Sequence, residues 1–188
     1  AYGIPFTVAW ARDSRDSSLV PTKGRYQKAN LEVSPMGDMK YYKASYQHQY
    51  FFPMFSGGTL ALNGMIDYGK GLGGKPYPVF KNFYAGGMGT VRGYESSSLG
   101  PVERDWEGDR EYLGGAKRVV GNIELQFPMP GMGGDRTLRW FTFLDGGNVF
   151  SDEDQFDFGD LRYSAGFGVS WVSPLGPLKL SYGIPLNA

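Results

Sequence analysis

One arginine stands where the chain could concentrate its polar chemistry. Arg92 lies in the run Phe83-Tyr84-Ala85-Gly86-Gly87-Met88-Gly89-Thr90-Val91-Arg92-Gly93-Tyr94. The glycines of this run permit a tight reversal of the chain, and Val91 and Tyr94 supply apolar anchors on either side of the cation. A guanidinium held by flanking packing offers a planar fork that suits a carboxylate bidentately. Asp145 and Glu124 are the best-placed partners, because alternation along their segments puts both on polar faces. The spacing alone leaves a second reading open, an ordinary glycine-rich exposed loop with a solvated arginine. Burial decides between them: an exposed pair is worth about 0 to 1 kcal/mol, whereas removing one partner of a buried pair costs about 3 to 5.

Other chemistry is scarce. The 188 residues include no Cys and one His, which excludes thiol catalysis, disulfide scaffolds and multi-histidine metal sites. His48 falls on the apolar phase of its segment beside Tyr46 and Tyr50, where a lipid-interface or core position is expected and no ligand role. The acidic cluster Asp152-Glu153-Asp154, with Asp157 and Asp160, offers oxygens for a divalent ion but lacks the glycine-centred spacing of an EF-hand, so it reads as a solvated loop. Ser96-Ser97-Ser98 has no histidine near in sequence to activate it. Asp105, Glu107, Asp109 and Arg110 read as a solvent-facing loop tip. The 19 basic residues balance 19 acidic ones without forming a run, which argues against a nonspecific nucleic-acid binder.

The elements that must position Arg92 alternate with a period of two, the strand period. Ile4, Phe6, Val8 and Trp10 open the series, followed by Ala29, Leu31 and Val33, then by Tyr42, Ala44, Tyr46, His48, Tyr50 and Phe52. Leu60, Leu62, Ile66 and Tyr68 mark a fourth segment, and Val119, Ile123, Leu125 and Phe127 a fifth. Leu138, Trp140, Thr142 and Leu144 alternate with Arg139, Phe141, Phe143 and Asp145; two more segments run from Leu161 to Trp171 and from Leu178 to Ile184. Every segment has one greasy, aromatic face and one that is largely polar, charged or glycine. A soluble β-sandwich also alternates. Two features favour a transmembrane barrel. Strands of about ten residues rise roughly 33 Å and, when tilted, cover the apolar band of an outer membrane. Aromatics also gather at segment ends, at Tyr2, Tyr26, Tyr41, Tyr42, Tyr50, Phe51, Phe52, Tyr68, Trp171 and Tyr182, where an interfacial girdle would sit.

No run of about 18 apolar residues exists to form a membrane-spanning helix. The chain opens at Ala1-Tyr2-Gly3-Ile4-Pro5 without the basic start of a signal segment, as a mature or trimmed product would. Short links at Ser34 to Lys40, Pro53 to Gly58, Pro128 to Arg136 and Val172 to Gly176 are expected on the periplasmic side. Longer ones at Arg12 to Gly24, Lys70 to Gly115 and Ser151 to Asp160 are expected outside. From Lys70 to about Gly115 no alternation is sustained, and a structureless loop of about 45 residues is usually functional or folded back onto something.

Four motifs in order carry a resemblance over about half the chain: Asn82-Phe83-Tyr84-Ala85-Gly86-Gly87, Val91-Arg92-Gly93-Tyr94, Phe143-Leu144-Asp145-Gly146-Gly147 and Ser173-Pro174-Leu175-Gly176-Pro177-Leu178. Together they resemble the C-terminal part of the BamA family of outer-membrane protein assembly factors, insertase barrels that carry POTRA domains. The resemblance implies an all-β fold: an antiparallel transmembrane β-barrel fragment of about eight strands with one long lumen-directed loop at 70–115, cut from a barrel of about 16 strands. Residues 1–188 would then be the C-terminal part of that barrel with its last strand missing, since Ile184-Pro185-Leu186-Asn187-Ala188 holds no further strand and no terminal aromatic. The lateral gate, where first and last strands pair, would lie outside it.

For the site, the resemblance matches Val91, Arg92, Gly93 and Tyr94 to the family's V-R-G-F/Y loop motif. It pairs Arg92 with Asp145 of an F-x-D-x-G strand motif, here Phe143, Asp145 and Gly147, and makes Glu124 the second acidic partner. The implied activity is non-enzymatic folding and insertion of barrel proteins into the bacterial outer membrane without ATP, with no cofactor and no metal. The implied partners are outer-membrane lipids, unfolded barrel-protein clients, and assembly-complex lipoproteins reached through POTRA domains, with no nucleic acid. A polypeptide-secreting transporter of the same superfamily is the alternative, and a barrel enzyme would need a rim triad or carboxylate site that the sequence does not offer. An eight-stranded closed barrel has room only for side chains, so a piece holding such a loop is expected as an open or partnered sheet, with edges that invite self-association.

Overall fold

The computed structural model describes residues 4–17, 21–54, 57–74, 77–78, 81–87, 90–95, 97–128, 138–151, 156 and 158–187. Tyr2, the Asp152-Glu153-Asp154 cluster with Asp157, Ser96 and most of the 128–136 link lie outside the described residues.

The alternating segments are the strands of one antiparallel sheet. In chain order they are β1 (Phe6–Asp13), β2 (Gly24–Ser34), β3 (Tyr41–Pro53), β4 (Thr59–Gly71), β7 (Lys117–Pro128), β8 (Leu138–Phe150), β9 (Arg162–Ser173) and β10 (Gly176–Pro185), each hydrogen-bonded to the next. The long loop between β4 and β7 is more ordered than its lack of alternation predicts. It contains a hairpin of two three-residue strands, β5 (Val102–Arg104) and β6 (Arg110–Tyr112), too short for period two to register.

Strand β8 shows how the sheet is oriented. Arg139, Phe141, Phe143 and Asp145 are buried on one face, while Trp140, Thr142 and Leu144 are exposed on the other. Large apolar side chains such as Phe167, Leu180 and Tyr182 also lie open, whereas charged Arg92, Glu124, Asp145 and Asp67 are buried. A water-soluble core has the reverse arrangement. Apolar outside and polar inside is the pattern of a sheet whose outer face meets lipid. No helix among the described residues is long and apolar enough to cross a membrane, a statement that does not bear on strands.

Paired aromatics mark both ends of the outer face: Tyr42 with Tyr68 near the long loop, and Tyr50 with Phe52 and Phe127 with Trp140 at the opposite end. Three aromatics expected in this girdle belong to the inner face instead. Tyr41, Phe51 and Tyr26 pair in register with Gly71, Ala61 and Gln49, on the phase opposite to Tyr42 and Tyr50, and Tyr41 and Phe51 are buried.

The sides of two links also differ from expectation. Every strand crosses the sheet once, so links must alternate ends irrespective of length. The short 35–40 link therefore lies at the end of the long loop, where Leu72 N–H donates to the Lys40 carbonyl at 2.8 Å, and the longer 14–23 link lies with the tight turns. Among the described residues no ladder joins β1 to β10, so the sheet is open. It is nevertheless strongly curved, because Lys179 on β10 reaches Glu124 on β7, three strands away, at 3.0 Å.

Candidate functional site

The long loop folds back over the inner face, and its return turn is built from local hydrogen bonds. Gly87 N–H donates to the Val91 carbonyl at 3.0 Å, and Gly86 N–H to Thr90 Oγ1 at 2.9 Å. Gly86 and Gly93 hold φ values of 121° and 92°, which an L side chain rarely adopts. Val91, fully buried, packs with Ala85, Leu99, Val120 and Val149 into a small apolar core between loop and sheet.

That packing aims Arg92. Its Nε donates to Asp145 Oδ2 at 2.7 Å and its Nη2 to Asp145 Oδ1 at 2.8 Å, a bidentate fork; its own backbone N–H adds a third bond to Oδ2 at 3.0 Å. Nη1 reaches Glu124 Oε1 at 2.5 Å. Glu124 is further held by Lys179 Nζ at 3.0 Å and by Gln126 Nε2 at 2.5 Å. Arg92, Glu124 and Asp145 retain 8%, 7% and 1% of their exposure, which selects the buried reading of this loop over the solvated one. Burial by itself would favour loss of the guanidinium proton; the bonds to Asp145 and Glu124 outweigh it and raise the Arg92 pKa above its ordinary value, so the cation persists at every accessible pH.

The ring of Phe143 completes the cradle, with the guanidinium carbon 3.8 Å from its centroid, and Phe141 lies 5.7 Å away. Both rings need room across the sheet, and β9 provides it. Phe143 faces Gly166 and Phe141 faces Gly168 in register, and a Cβ on either glycine would come within 2.6 Å of the facing ring. Gly147 plays a similar part for the loop, since a Cβ there would lie 3.1 Å from Val91 Cγ2. Tyr94 sits at the upper edge, its hydroxyl 2.9 Å from the Tyr163 carbonyl oxygen and 3.1 Å from Asn187 Oδ1, two acceptors for one proton. The structure thus brings Val91, Arg92, Gly93, Tyr94, Glu124, Phe143, Asp145 and Gly147 together.

Sequence reasoning missed several anchors. Asp67 and Arg118 are register partners on β4 and β7 and form an ion pair at 2.7 Å; Arg118 also donates to the Tyr84 carbonyl in the loop at 3.0 Å. Asn122 donates to the Thr90 carbonyl at 2.6 Å and accepts from Asn63 at 2.7 Å, which accepts in turn from Gln47 at 3.0 Å. All of these residues occupy the polar phase of their segments, but pairing them requires the register. His48 lies on the outer face, with Nδ1 3.1 Å from the Tyr46 hydroxyl. Asp105, Glu107 and Asp109 cluster at the exposed hairpin tip, where Asp105 Oδ1 accepts the backbone N–H groups of Glu107 and Asp109.

Two cations, Arg92 and Lys179, and two carboxylates, Glu124 and Asp145, thus neutralise one another under the folded loop. The profile described as "Omp85 superfamily domain" matches residues 4–188. The chain is 40% identical over 96% of its length to "Outer membrane protein assembly factor BamA" of Neisseria meningitidis, of which it covers 26%. It is 32% identical over 93% of its length to "Sorting and assembly machinery component 50 homolog" of Mus musculus, covering 39%. Among solved structures, BamA from Haemophilus ducreyi lacking POTRA domains 1-3 superposes with a TM-score of 0.86 at 28% identity, over 98% of this chain and 39% of that one. The chain therefore spans about a quarter to two-fifths of the length of these relatives.

Proposed function

The chain belongs to the Omp85 superfamily, and from that premise we propose that it is the loop-bearing part of an insertase barrel, which folds and inserts β-barrel proteins into the bacterial outer membrane without ATP and without covalent chemistry. The observation that carries the proposal is the buried Arg92–Asp145–Glu124 brace on the inner face of a sheet whose outer face is apolar. Its role is mechanical. The loop, pinned by one charged fork and a small apolar core, holds the curvature of β7 to β10 while client strands assemble elsewhere on the barrel. Proposed partners are membrane lipids, unfolded barrel clients, and the lipoproteins of an assembly complex acting through POTRA domains.

Exchange of residues 4–188 into the matching region of the Neisseria meningitidis relative tests the reading. In a strain depleted of the native factor, the chimera is expected to restore growth and the level of heat-modifiable outer-membrane barrels. A chimera that reaches the outer membrane folded yet restores neither would overturn the assembly reading; one that supports export of a single cognate polypeptide instead would favour a secreting transporter.

A further inference from the structure

The outer face carries a feature that the brace does not use. One register row crosses it through Gln27, His48, Gly64, Gly121, Gly146 and Tyr163, so three adjacent central strands each present a glycine to the outside at the same level. A Cβ on Gly64 or Gly121 would meet nothing within 4 Å; one on Gly146 would lie 3.0 Å from the Tyr163 ring, which closes that end. The rows two residues away rise as walls, Ile66 and Val119 on one side and Leu62, Ile123 and Leu144 on the other. The result is a trench of about 650 Å³. From His48 to Tyr163 it crosses four strand spacings, roughly 19 Å at about 4.8 Å each.

We propose that this trench is a seat for one acyl chain of a bilayer lipid. Its floor is backbone of β4, β7 and β8, whose N–H and C=O groups are engaged in ladders on both sides, so nothing in it requests a hydrogen bond. At the His48 end the polar groups bond to one another, Gln27 Nε2 donating to the Tyr46 hydroxyl at 2.9 Å and that hydroxyl lying 3.1 Å from His48 Nδ1. The occupant must therefore be apolar, narrow and long. A helix, about 10 Å across, is too wide for a trench one glycine deep. An extended peptide would bring backbone polar groups to a depth where neither lipid nor the floor can pair them. An acyl chain has neither fault, and the trench lies between the two aromatic ends of the outer face, where acyl chains are the solvent. Bulk lipid is as apolar as the trench, so the preference comes from close packing rather than from the hydrophobic effect, and it is modest.

The inference rests on the outer face meeting lipid, and the test separates the two. The full-length protein is placed in nanodiscs of phosphatidylethanolamine and phosphatidylglycerol doped with a phospholipid bearing a mid-chain diazirine, irradiated, and its adducts mapped by mass spectrometry. Adducts at Leu62, Ile123 and Leu144 are expected about threefold above those at Phe167 and Leu180 on the same face. Gly121→Leu should abolish the excess while leaving Phe167 and Leu180 unchanged; Gly64→Ala, a smaller filling, serves if Gly121→Leu does not fold. Even labelling across the face, or an excess that survives filling, overturns the seat while the membrane-facing exterior stands. Absence of adducts at Phe167 and Leu180 as well overturns both. A photoreactive residue at Leu62 that captures a polypeptide instead of lipid overturns the choice of occupant.

Discussion

Gly93 of the long loop and Gly183 of β10 touch backbone to backbone: a Cβ on Gly183 would lie 2.9 Å from Gly93 Cα, and one on Gly93 would lie 3.0 Å from the Gly183 carbonyl carbon. The residue after the site arginine is thus pressed against the last strand of the sheet. Gly183→Ala is the cleaner probe, since Gly93 also needs its positive φ. Overpacking of this kind costs about 1 to 3 kcal/mol. The expected result is a lower urea midpoint in detergent together with protease cleavage in the 85–99 region; a midpoint and a cleavage pattern unchanged from the parent would mean that the contact carries no load.

Truncation of either side of the buried fork should be severe. Arg92→Ala leaves Asp145 uncompensated, and Asp145→Ala leaves the guanidinium with Glu124 alone. Each is expected to cost about 3 to 5 kcal/mol, whereas the double variant should cost clearly less than the sum because it strands no charge. Equilibrium unfolding of the four proteins gives the coupling directly, and additive losses would refute the pairing.

Lys179 presents the opposite case. Its side chain keeps 38% of its exposure while reaching Glu124, so Lys179→Met should change stability by no more than about 1 kcal/mol. What it should change is geometry, because Lys179 spans from β10 to β7 across the Phe141 ring, 4.4 Å from its centroid. A spin-label pair on β7 and β10 is expected to report a longer or broader distance in the variant; an identical distribution would leave the curvature to the rings and glycines alone.

Acid should loosen the 14–23 link before the sheet. Asp16 accepts backbone N–H groups of Thr22 at 2.9 Å and Lys23 at 3.3 Å, and the Thr22 hydroxyl. Slight burial pushes its pKa up, but these bonds outweigh it and bring the carboxyl from 3.8 down to about 2. A carboxylate whose folded pKa is depressed stabilises fully above its unfolded value and loses that contribution as pH falls through the folded one. Measured as protection relative to the intrinsic exchange rate at each pH, the Thr22 and Lys23 amides should therefore stay protected above pH 4 and lose protection toward pH 2, and Asp16→Asn should leave them unprotected throughout. Protection in that variant would assign the order to something other than the carboxylate.

The parts of the molecule readable from the residues alone are those set by neighbours along the chain, whereas the long-range pairing of Arg92 with Asp145 and Glu124 was settled by the family resemblance. Alternation at Arg139, Phe141, Phe143 and Asp145 marked one face, and that local period survives in the sheet because each strand must keep lipid and lumen apart. The loop motif was legible for a similar reason: Gly86 and Gly93 are conformational requirements of the turn itself. Register-dependent features were not. Nothing local ties Asp67 to Arg118 or Lys179 to Glu124, and no alternation rule says that Gly166 and Gly168 stand opposite Phe143 and Phe141. Link length misled for Ser34 to Lys40 because length is a habit of such barrels, whereas the alternation of ends is a topological necessity.

The open edges impose a counting rule. Each neighbour in the eight-stranded sheet reverses direction, so β1 and β10 run opposite to one another. A ring in which every adjacent pair is antiparallel has an even number of members. Whatever joins β1 to β10 to complete such a ring must therefore contribute an even number of strands, its first antiparallel to β10 and its last antiparallel to β1. Parity thus admits eight further strands, or a second copy of this sheet related by a two-fold axis, and forbids any odd insertion.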